Sequence, residues 1–352
     1  MTTKEKVLHI LTEKNAPVSG EIIAQQCNVS RAAVWKAINS LRDEGFLIEG
    51  TTNGGYKFCG SFDIFSKNTF ASDFYSAFPD YQNSHLECFK IIDSTNTYAK
   101  KILSECGNLR NPDETLTSAG QKYHKSIIVA ESQTAGRGRL GRTFLSPQKT
   151  GIYLSIIFAP EGGIAEPAKV TAFSAVAVCR TLKKLFNIET QIKWVNDVFY
   201  KGKKIAGILT EGSVNFETKK IESAVIGIGL NLVDNDIFSD NLGKTVGSVC
   251  GKQNSQVTRS KVAAHIAGET LSILQENPAN VIQEYRQRSF LTGKNIVVHP
   301  VIGDNCKSYS AKVLDIDDNA LLVVEILEGE NKGQTKILNS GEISIKSESF
   351  AQ

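Results

Sequence analysis

The apolar residues of this chain change their spacing twice, and each change marks a different kind of packing. Up to about residue 60 they recur at helical intervals, as in Val7, Ile10 and Leu11 and again in Val34, Ile38 and Leu41. From about residue 85 to 290, apolar strands alternate with longer helices. From about 293 onward, short strands are separated by turns such as Asp317-Asp-Asn319 and Glu328-Gly-Glu-Asn-Lys-Gly333. A length of 352 residues exceeds one typical domain and fits a division into 1–60, 85–290 and 293–348. The fold class is therefore α+β. Within it, residues from about Pro167 to Phe186 are apolar on most sides, which predicts a helix buried against a sheet. The polar stretch from Ser104 to Lys125, with Gly107, Pro112 and Gly120, reads as a surface insertion.

Several classes of protein are excluded at once. The longest apolar runs, such as Gly151 to Phe158, are strand-sized, so neither a transmembrane span nor a membrane partner is expected. The start Met-Thr-Thr-Lys-Glu-Lys lacks the apolar segment of an export signal. Seven cysteines are scattered without a Cys-x-x-Cys spacing, and five histidines are equally dispersed. That pattern indicates neither a disulfide framework nor a zinc site, and points to reduced thiols in the cytoplasm.

In the first part, Lys4 to Lys14 carries the stripe of an amphipathic helix. Ser19 is placed to cap a second helix that begins at Gly20, turns Ile22 and Ile23 inward and ends at Cys27-Asn28. Ser30 caps a third, with Val34, Ile38 and Leu41 on its core face and Arg31, Trp35, Lys36 and Asn39 facing outward. Phe46 to Glu49, a turn with Asn53-Gly54-Gly55, and Tyr56 to Phe58 complete a β-hairpin. Three helices and a hairpin make a winged helix-turn-helix, whose third helix can enter the major groove. Ser30, Arg31, Lys36 and Asn39 are then the candidates for DNA contacts, with the wing near Asn53 on the adjacent backbone. A solvated helix face serving protein contacts is the blander reading of the same residues. Through residue 58, seven bases barely exceed six acids. Phosphate neutralisation supplies most non-specific affinity, so operator binding is expected of two heads in a dimer.

The central part holds the densest chemical signal, Ala135-Gly-Arg-Gly-Arg-Leu-Gly-Arg142, after the apolar run Ile127 to Ala130. Its glycines let the backbone approach a ligand, and its arginines offer forked donors to carboxylate or phosphate oxygens. It reads as a loop that clasps an anionic ligand and is disordered without it. It lacks both the Walker Gly-Lys-Ser/Thr and a Rossmann glycine pattern. A second signal is Lys193-Trp-Val-Asn-Asp197, followed by Tyr200-Lys-Gly-Lys203 and Lys204-Ile-Ala-Gly-Ile-Leu-Thr-Glu211. The Lys-Gly turn predicts a hairpin, and strand alternation puts Lys193 and Val195 on one side and Trp194 and Asn196 on the other. A third signal, Gly227-Ile-Gly-Leu-Asn231, ends another apolar strand.

These elements together resemble the biotin protein ligase family. Its Gly-Arg-Gly-Arg-x-Gly-Arg loop matches Gly136 to Arg142, its Lys-Trp-Pro-Asn-Asp matches Lys193 to Asp197, and its Gly-Ile-Gly-x-Asn matches Gly227 to Asn231. Asp93-Ser-Thr-Asn96, Glu131-Ser-Gln133, Gly341-Glu-Ile-Ser344 and, in the head, Ser30-Arg-Ala-Ala33 extend the resemblance over nearly the whole chain. Phe144 stands where members often have Trp, and Val195 replaces the usual Pro. The layout is that of the bifunctional ligase that doubles as biotin operon repressor.

The resemblance implies a central class II synthetase-like domain built on a mixed or antiparallel sheet, and a C-terminal SH3-like β-barrel. It implies ATP with Mg²⁺ as co-substrates, biotin as substrate, biotinyl-5′-AMP as intermediate, and a lysine of a biotin carboxyl carrier protein as acceptor. Ser94, Thr95, Asn96 and Gln133 are then expected around the biotin ring, with Arg137, Gly138 and Arg139 closing over it. Lys193, with Arg137 and Arg139, is the implied catalytic cation; Arg142, Asn196, Asp197 and Asn231 serve the nucleotide. A ligand-promoted homodimer is implied for repression. The alternatives are a lipoate-type ligase, a ligand-sensing repressor without ligase activity, and a ligase whose head no longer binds DNA.

Overall fold

The computed structural model describes residues 2–14, 16–43, 46–51, 54–61, 63, 65–111, 113–214, 220–234, 245–251, 257–300, 307–339 and 342–345. The head comprises α1 (Thr3–Glu13), α2 (Gly20–Cys27), α3 (Arg31–Asp43), β1 (Phe46–Thr51) and β2 (Gly55–Ser61). Its helices start where hydroxyl caps meet open amides. Thr2 and Glu5 form a reciprocal capping box, Ser19 accepts from the Ile22 amide, and Ser30 accepts from the Ala33 amide. Helix α2 stops where Asn28 turns left-handed. Val7, Ile23, Val34, Ile38, Leu41 and Ile48 form a core of their own, separate from that of the rest of the chain. Asn53, at the tip of the expected wing, lies outside the described residues.

Helix α4 (Lys67–Ala77) leads into the central part: β3 (Leu86–Phe89), α5 (Thr95–Glu105), α6 (Ser118–Tyr123), β4 (Ser126–Ala130), β5 (Gly151–Phe158) and α7 (Pro167–Phe186). There follow β6 (Gln191–Lys193), β7 (Asp197–Tyr200), β8 (Lys203–Val214), β9 (Ile221–Asn231), α8 (Arg259–Ile273) and α9 (Pro278–Arg288). The seven strands lie in the order β3-β4-β5-β9-β8-β7-β6, with β3 and β4 parallel and every other pair antiparallel, so the sheet is mixed. Both faces are covered, which is why its central strands read as unbroken apolar runs. Ile127, Val129, Ile156 and Ile226 turn to the main core, while Ile128, Ile157 and Val225 meet Ala99 of α5. Helix α7 occupies the span its composition predicts and buries Val170, Phe173, Ala177, Val178 and Leu182.

The last part is an antiparallel sheet of β10 (Asn295–His299), β11 (Tyr309–Ile316), β12 (Leu322–Ile326), β13 (Thr335–Leu338) and β14 (Glu342–Ile345), ordered β13-β12-β11-β10-β14. It does not stand apart. Ile296, Val313, Leu322 and Val324 belong to the main core, and the Trp194 indole N–H donates to the Ala320 carbonyl at 2.9 Å. Gly341, which opens the last quoted motif, lies outside the described residues.

Two connections differ from, or add to, what composition implies. The polar 104–125 stretch is more than a surface insertion. Leu109 is buried, α6 forms within it, and the buried Arg110 guanidinium donates to the carbonyls of Pro160 and Glu222. One long side chain aimed inward anchors a segment whose composition is otherwise that of a loop; Pro112 lies outside the described residues. Between the head and α4, Asp63 is held by Arg259, the first residue of α8, which is 2% exposed. Its guanidinium pairs with the Asp63 carboxylate, reaches Glu131 at 3.2 Å, and its backbone amide donates to the same carboxylate.

Separate cores imply separable stabilities. Ile38→Ala deletes fully buried methyls from the head and should cost that core about 2–5 kcal/mol. Scanning calorimetry is expected to show a head transition shifted down while the transition of the ligand-free remainder stays put. Equal shifts of all heat absorption would show that the two cores melt as one.

Candidate active site

One cavity of about 730 Å³ gathers most of the residues the motifs single out: Ser94, Thr95, Asn96, Gln133, Arg137, Gly138, Arg139, Arg142, Lys193, Asn196 and Asp197. It lies over β8 and β9, between the N-terminus of α5, the Gly-Arg loop and the β6–β7 turn. Three sequence segments more than thirty residues apart are thus brought to one place by the antiparallel order of β5, β9 and β8.

One end is a closed network of side-chain hydrogen bonds in which the lining groups are neutral and one carboxylate, Glu211, stands behind them. Ser94 caps α5 through its hydroxyl. Gln133 Oε1 accepts from both the amide and the hydroxyl of Thr95, at 2.8 and 3.1 Å, and its Nε2 donates to Ser146 at 2.9 Å. Asn96, 4% exposed, donates from Nδ2 to Glu211 Oε2 at 2.9 Å and to the Leu209 carbonyl at 3.3 Å. Ser155 Oγ sits between the two, 2.7 Å from Thr95 Oγ1 and 2.6 Å from Asn96 Oδ1. Thr95, Asn96 and Gln133 are therefore held in fixed rotamers by protein partners. Such a rigid polar wall selects ligand groups by their donor and acceptor pattern.

The glycines of Gly227-Ile-Gly-Leu-Asn231 explain themselves here. A methyl group at Gly227 would stand 2.2 Å from Asn96 Oδ1, and one at Gly229 would stand 2.5 Å from the Phe144 ring. Both spare room for a neighbour on the cavity floor, and neither belongs to a nucleotide-binding turn. Phe144 itself lines the cavity, edge-on to Tyr153.

The opposite end is cationic. Among the described residues, Arg137, Arg139, Arg142, Lys193 and Lys204 line the cavity against a single acid, Asp197. The Gly-Arg loop, expected to be disordered without a ligand, has a defined path. Arg137 and Thr143 form a β-bridge, and Arg139 to Gly141 make a short 3₁₀ turn. Arg139 donates to Asn196 Oδ1 at 3.0 Å, and Arg137 lies 3.4 Å from Glu211. Burial pushes the Glu211 carboxyl up, but the hydrogen bonds from Asn96 and Lys100 and the charges of Lys100 and Arg137 outweigh it. Glu211 therefore titrates below the usual range and stays ionised.

The strand alternation expected across 193–196 does not hold. Lys193 and Asp197 face each other in register, so Trp194 to Asn196 form the turn that joins β6 to β7, with a cis Trp194–Val195 peptide. A pairing across three residues leaves no length for a continuing strand. The turn still presents Lys193 and Asp197 to the cavity while Trp194 packs away from solvent. The second hairpin forms as its Lys-Gly pair predicts: Lys201 and Gly202 both have positive φ.

Asn231 is not brought to the cavity. It is buried at the end of β9 and donates to the Gly247 carbonyl at 3.2 Å, securing the segment whose Thr245 and Val246 do line it. Four positions at the site are given no role by the motif reading, although Lys204 and Glu211 bound a stretch that it includes. Lys204 lines the cavity with its ammonium 2.6 Å from Asp197; Glu211 and Ser155 organise the neutral end; Ile343 of β14 supplies wall from the far end of the chain. A signal existed for Ser155, which interrupts an otherwise apolar strand, whereas Glu211 stands among the polar and glycine residues at the end of its strand. In the head, Arg31 and Lys36 are exposed on α3 and Asn39 is half-buried, while Ser30 is spent on the cap.

The chain matches the model of the biotin/lipoate A/B protein ligase family over residues 88–231 and that of an HTH domain over 3–57. It is 29% identical over 346 residues to the bifunctional ligase/repressor BirA of Bacillus spizizenii, spanning 94% of this chain and 96% of that protein. The protein of the same name from Salmonella typhimurium is 28% identical over 334 residues, spanning 94% and 93%. Among solved structures, biotin protein ligase from Aquifex aeolicus in complex with biotin and ATP superposes with a TM-score of 0.56 at 21% identity, over 74% of this chain and 98% of that one. With the head, the mixed sheet and the motif-lined cavity in the same order along the chain, this protein belongs to the biotin protein ligase family, in its bifunctional ligase/repressor form.

Proposed function

We propose that the cavity carries out both half-reactions of an ATP-dependent biotin protein ligase, and that the head makes the chain a biotin-responsive repressor. The observation that carries the enzymatic reading is the polarity of the cavity, neutral and rigid at one end and cationic at the other. A biotin molecule is polarised in the same way, with a neutral ureido ring and a carboxylate tail. The ring belongs beside Ser94 and Thr95, backed by Asn96 and Gln133; Arg137, Gly138 and Arg139 cover it. The carboxylate then points toward Lys193 and Lys204, where the α-phosphate of ATP also belongs, with Arg142, Asn196 and Asp197 on the nucleotide.

In the first step a biotin carboxylate oxygen attacks the α-phosphorus and the bond to the bridging oxygen of pyrophosphate breaks. Two anions must meet, and the reacting oxygens gather further charge as the bond forms. Lys193 and Lys204 offset it, already positioned by the hairpins that carry them. In the second step the neutral amine of a carrier-protein lysine attacks the acyl carbon, AMP leaves, and the amine loses its proton. No protein nucleophile is required. Magnesium is read as arriving with the ATP phosphates, since it is usually held by substrate phosphates and one or two carboxylates. Asp197 is the acid nearest that task, and Lys204 already neutralises it.

The same reading divides the chain at 1–60, 85–290 and 293–348. It takes the C-terminal five strands as an SH3-like barrel, and the occupied state as a homodimer with α3 of each head on one half-site. Arg31, Lys36 and Asn39 then supply phosphate and base contacts.

Exchange of labelled pyrophosphate into ATP should depend on biotin and ignore lipoate. Lys193→Ala and Lys204→Ala should each lower it about 100-fold or more, the scale of a lost electrostatic stabiliser. Exchange driven equally by lipoate would reassign the acyl substrate, and exchange untouched by either substitution would remove the lysines from the chemistry. Sedimentation is the check on assembly: biotin with ATP should shift the chain from monomer toward dimer, and an unchanged coefficient at tens of micromolar would end the dimer reading.

A further inference from the structure

The chain has two tryptophans, and they are used in opposite ways. Trp194 is 4% exposed and hydrogen-bonded to Ala320. Trp35 is 57% exposed in the middle of α3, although the residues on either side of that helix's inner face, Val34 and Ile38, are completely buried. The head core is closed without it. An indole left in water forgoes the largest apolar burial any side chain offers and stays open to a surface outside the chain; what makes Trp35 informative is what surrounds it.

The surroundings indicate which surface that is. Arg31, one turn before Trp35, and Asn39, one turn after, lie on the same side of α3, and Lys36 adjoins them. Arg31 and Lys36 have no acid partner among the described residues, so both cations face outward uncompensated. Arg42, the other base of α3, is occupied with the wing: its Nε donates to the Ile48 carbonyl at 2.9 Å and its guanidinium lies over the Tyr56 ring. An apolar plate bracketed by two cations and an amide, on the helix placed to enter the major groove, is complementary to duplex DNA. A protein partner would have to bury Arg31 and Lys36 along with the ring.

We infer that Trp35 is a specificity-determining residue of the head, its indole packing on the 5-methyl group of a thymine in the major groove. That methyl is the apolar feature of the base edges there, and neither Arg31 nor Lys36 can read it. Phosphate contacts position a protein without distinguishing sequence. The head has almost no net charge to contribute non-specific affinity. The inference rests on the reading of α3 as the recognition helix.

The test uses the full chain with biotin and ATP. Duplexes are first selected from a random pool. Each thymine of the selected site is then replaced singly by deoxyuridine, which deletes the methyl and keeps every hydrogen-bonding group. The wild type should lose about 3- to 10-fold in affinity at one thymine of each half-site, the scale of one buried methyl group. Trp35→Ala should bind the parent duplex with that loss already present and be indifferent to the substitution there. Trp35→Phe should restore part of the discrimination, whereas Arg31→Ala should weaken all duplexes alike. Deoxyuridine tolerated everywhere by the wild type, or thymine discrimination retained in Trp35→Ala, overturns the role of Trp35 while leaving α3 as the recognition helix. Failure to select any duplex overturns the recognition-helix reading, and the thymine contact with it.

Discussion

A buried amide is the point from which the ligand cavity is assembled. Asn96 sits at the start of α5, yet its side chain touches β8 through Glu211 and Leu209 and β5 through Ser155, and it occupies the space that Gly227 of β9 vacates. Three strands and a helix are thus registered against one residue. An amide can do this because it has donors and acceptors on opposite sides, and because burial makes each unmade bond costly. The glycine on β9 is the steric complement of that choice. If the floor strand carried a side chain there, the amide would have to withdraw and the neutral end of the cavity would lose its fixed geometry.

The same frame holds the cationic end without collapse. Like charges crowded into a partly desolvated space repel one another, and each needs a local counterpart. Glu211 steadies Lys100 and Arg137, Asp197 steadies Lys204, and the Asn196 carbonyl oxygen receives Arg139. One carboxylate thus serves two cations, a second serves one, and a neutral amide serves the fourth. The wall keeps a net positive field for phosphate and carboxylate, while Arg137, Arg139 and Lys204 are each held by a protein partner.

Legibility from sequence followed the range of the interactions. Helix α7, the caps at Ser19 and Ser30 and the Lys201–Gly202 turn are decided within a few residues, and each was readable from local pattern. The cavity motifs were readable as chemistry because glycine, arginine and lysine cluster in ways a core does not require. What escaped was decided across the fold. Ser155 meets residues 59 and 60 positions away, and Glu211 meets one 115 positions away. Lys204 stands in a stretch that the pattern marks as a hairpin, but only the pairing of β7 with β8 brings Asp197 beside it. Asn231 looked like a ligand contact because it closes a motif, but the segment around Gly247, distant in pattern and adjacent in space, claims its amide. The alternation read across Trp194–Asn196 failed because period two belongs to strands and cannot signal that a strand has turned back.

The clamp between Asp63 and Arg259 has a geometric corollary. Strand β2 ends at Ser61, and a two-residue lead spans at most about 7 Å even when fully extended. The end of the wing is accordingly moored close to the first turn of α8. Arg259 also reaches Glu131, so the mooring post stands two residues along the chain from Gln133, which lines the cavity. In the homodimer proposed above, the gap between the two α3 helices would then be measured off by how the central bodies abut, with each head tied to its own body at Asp63.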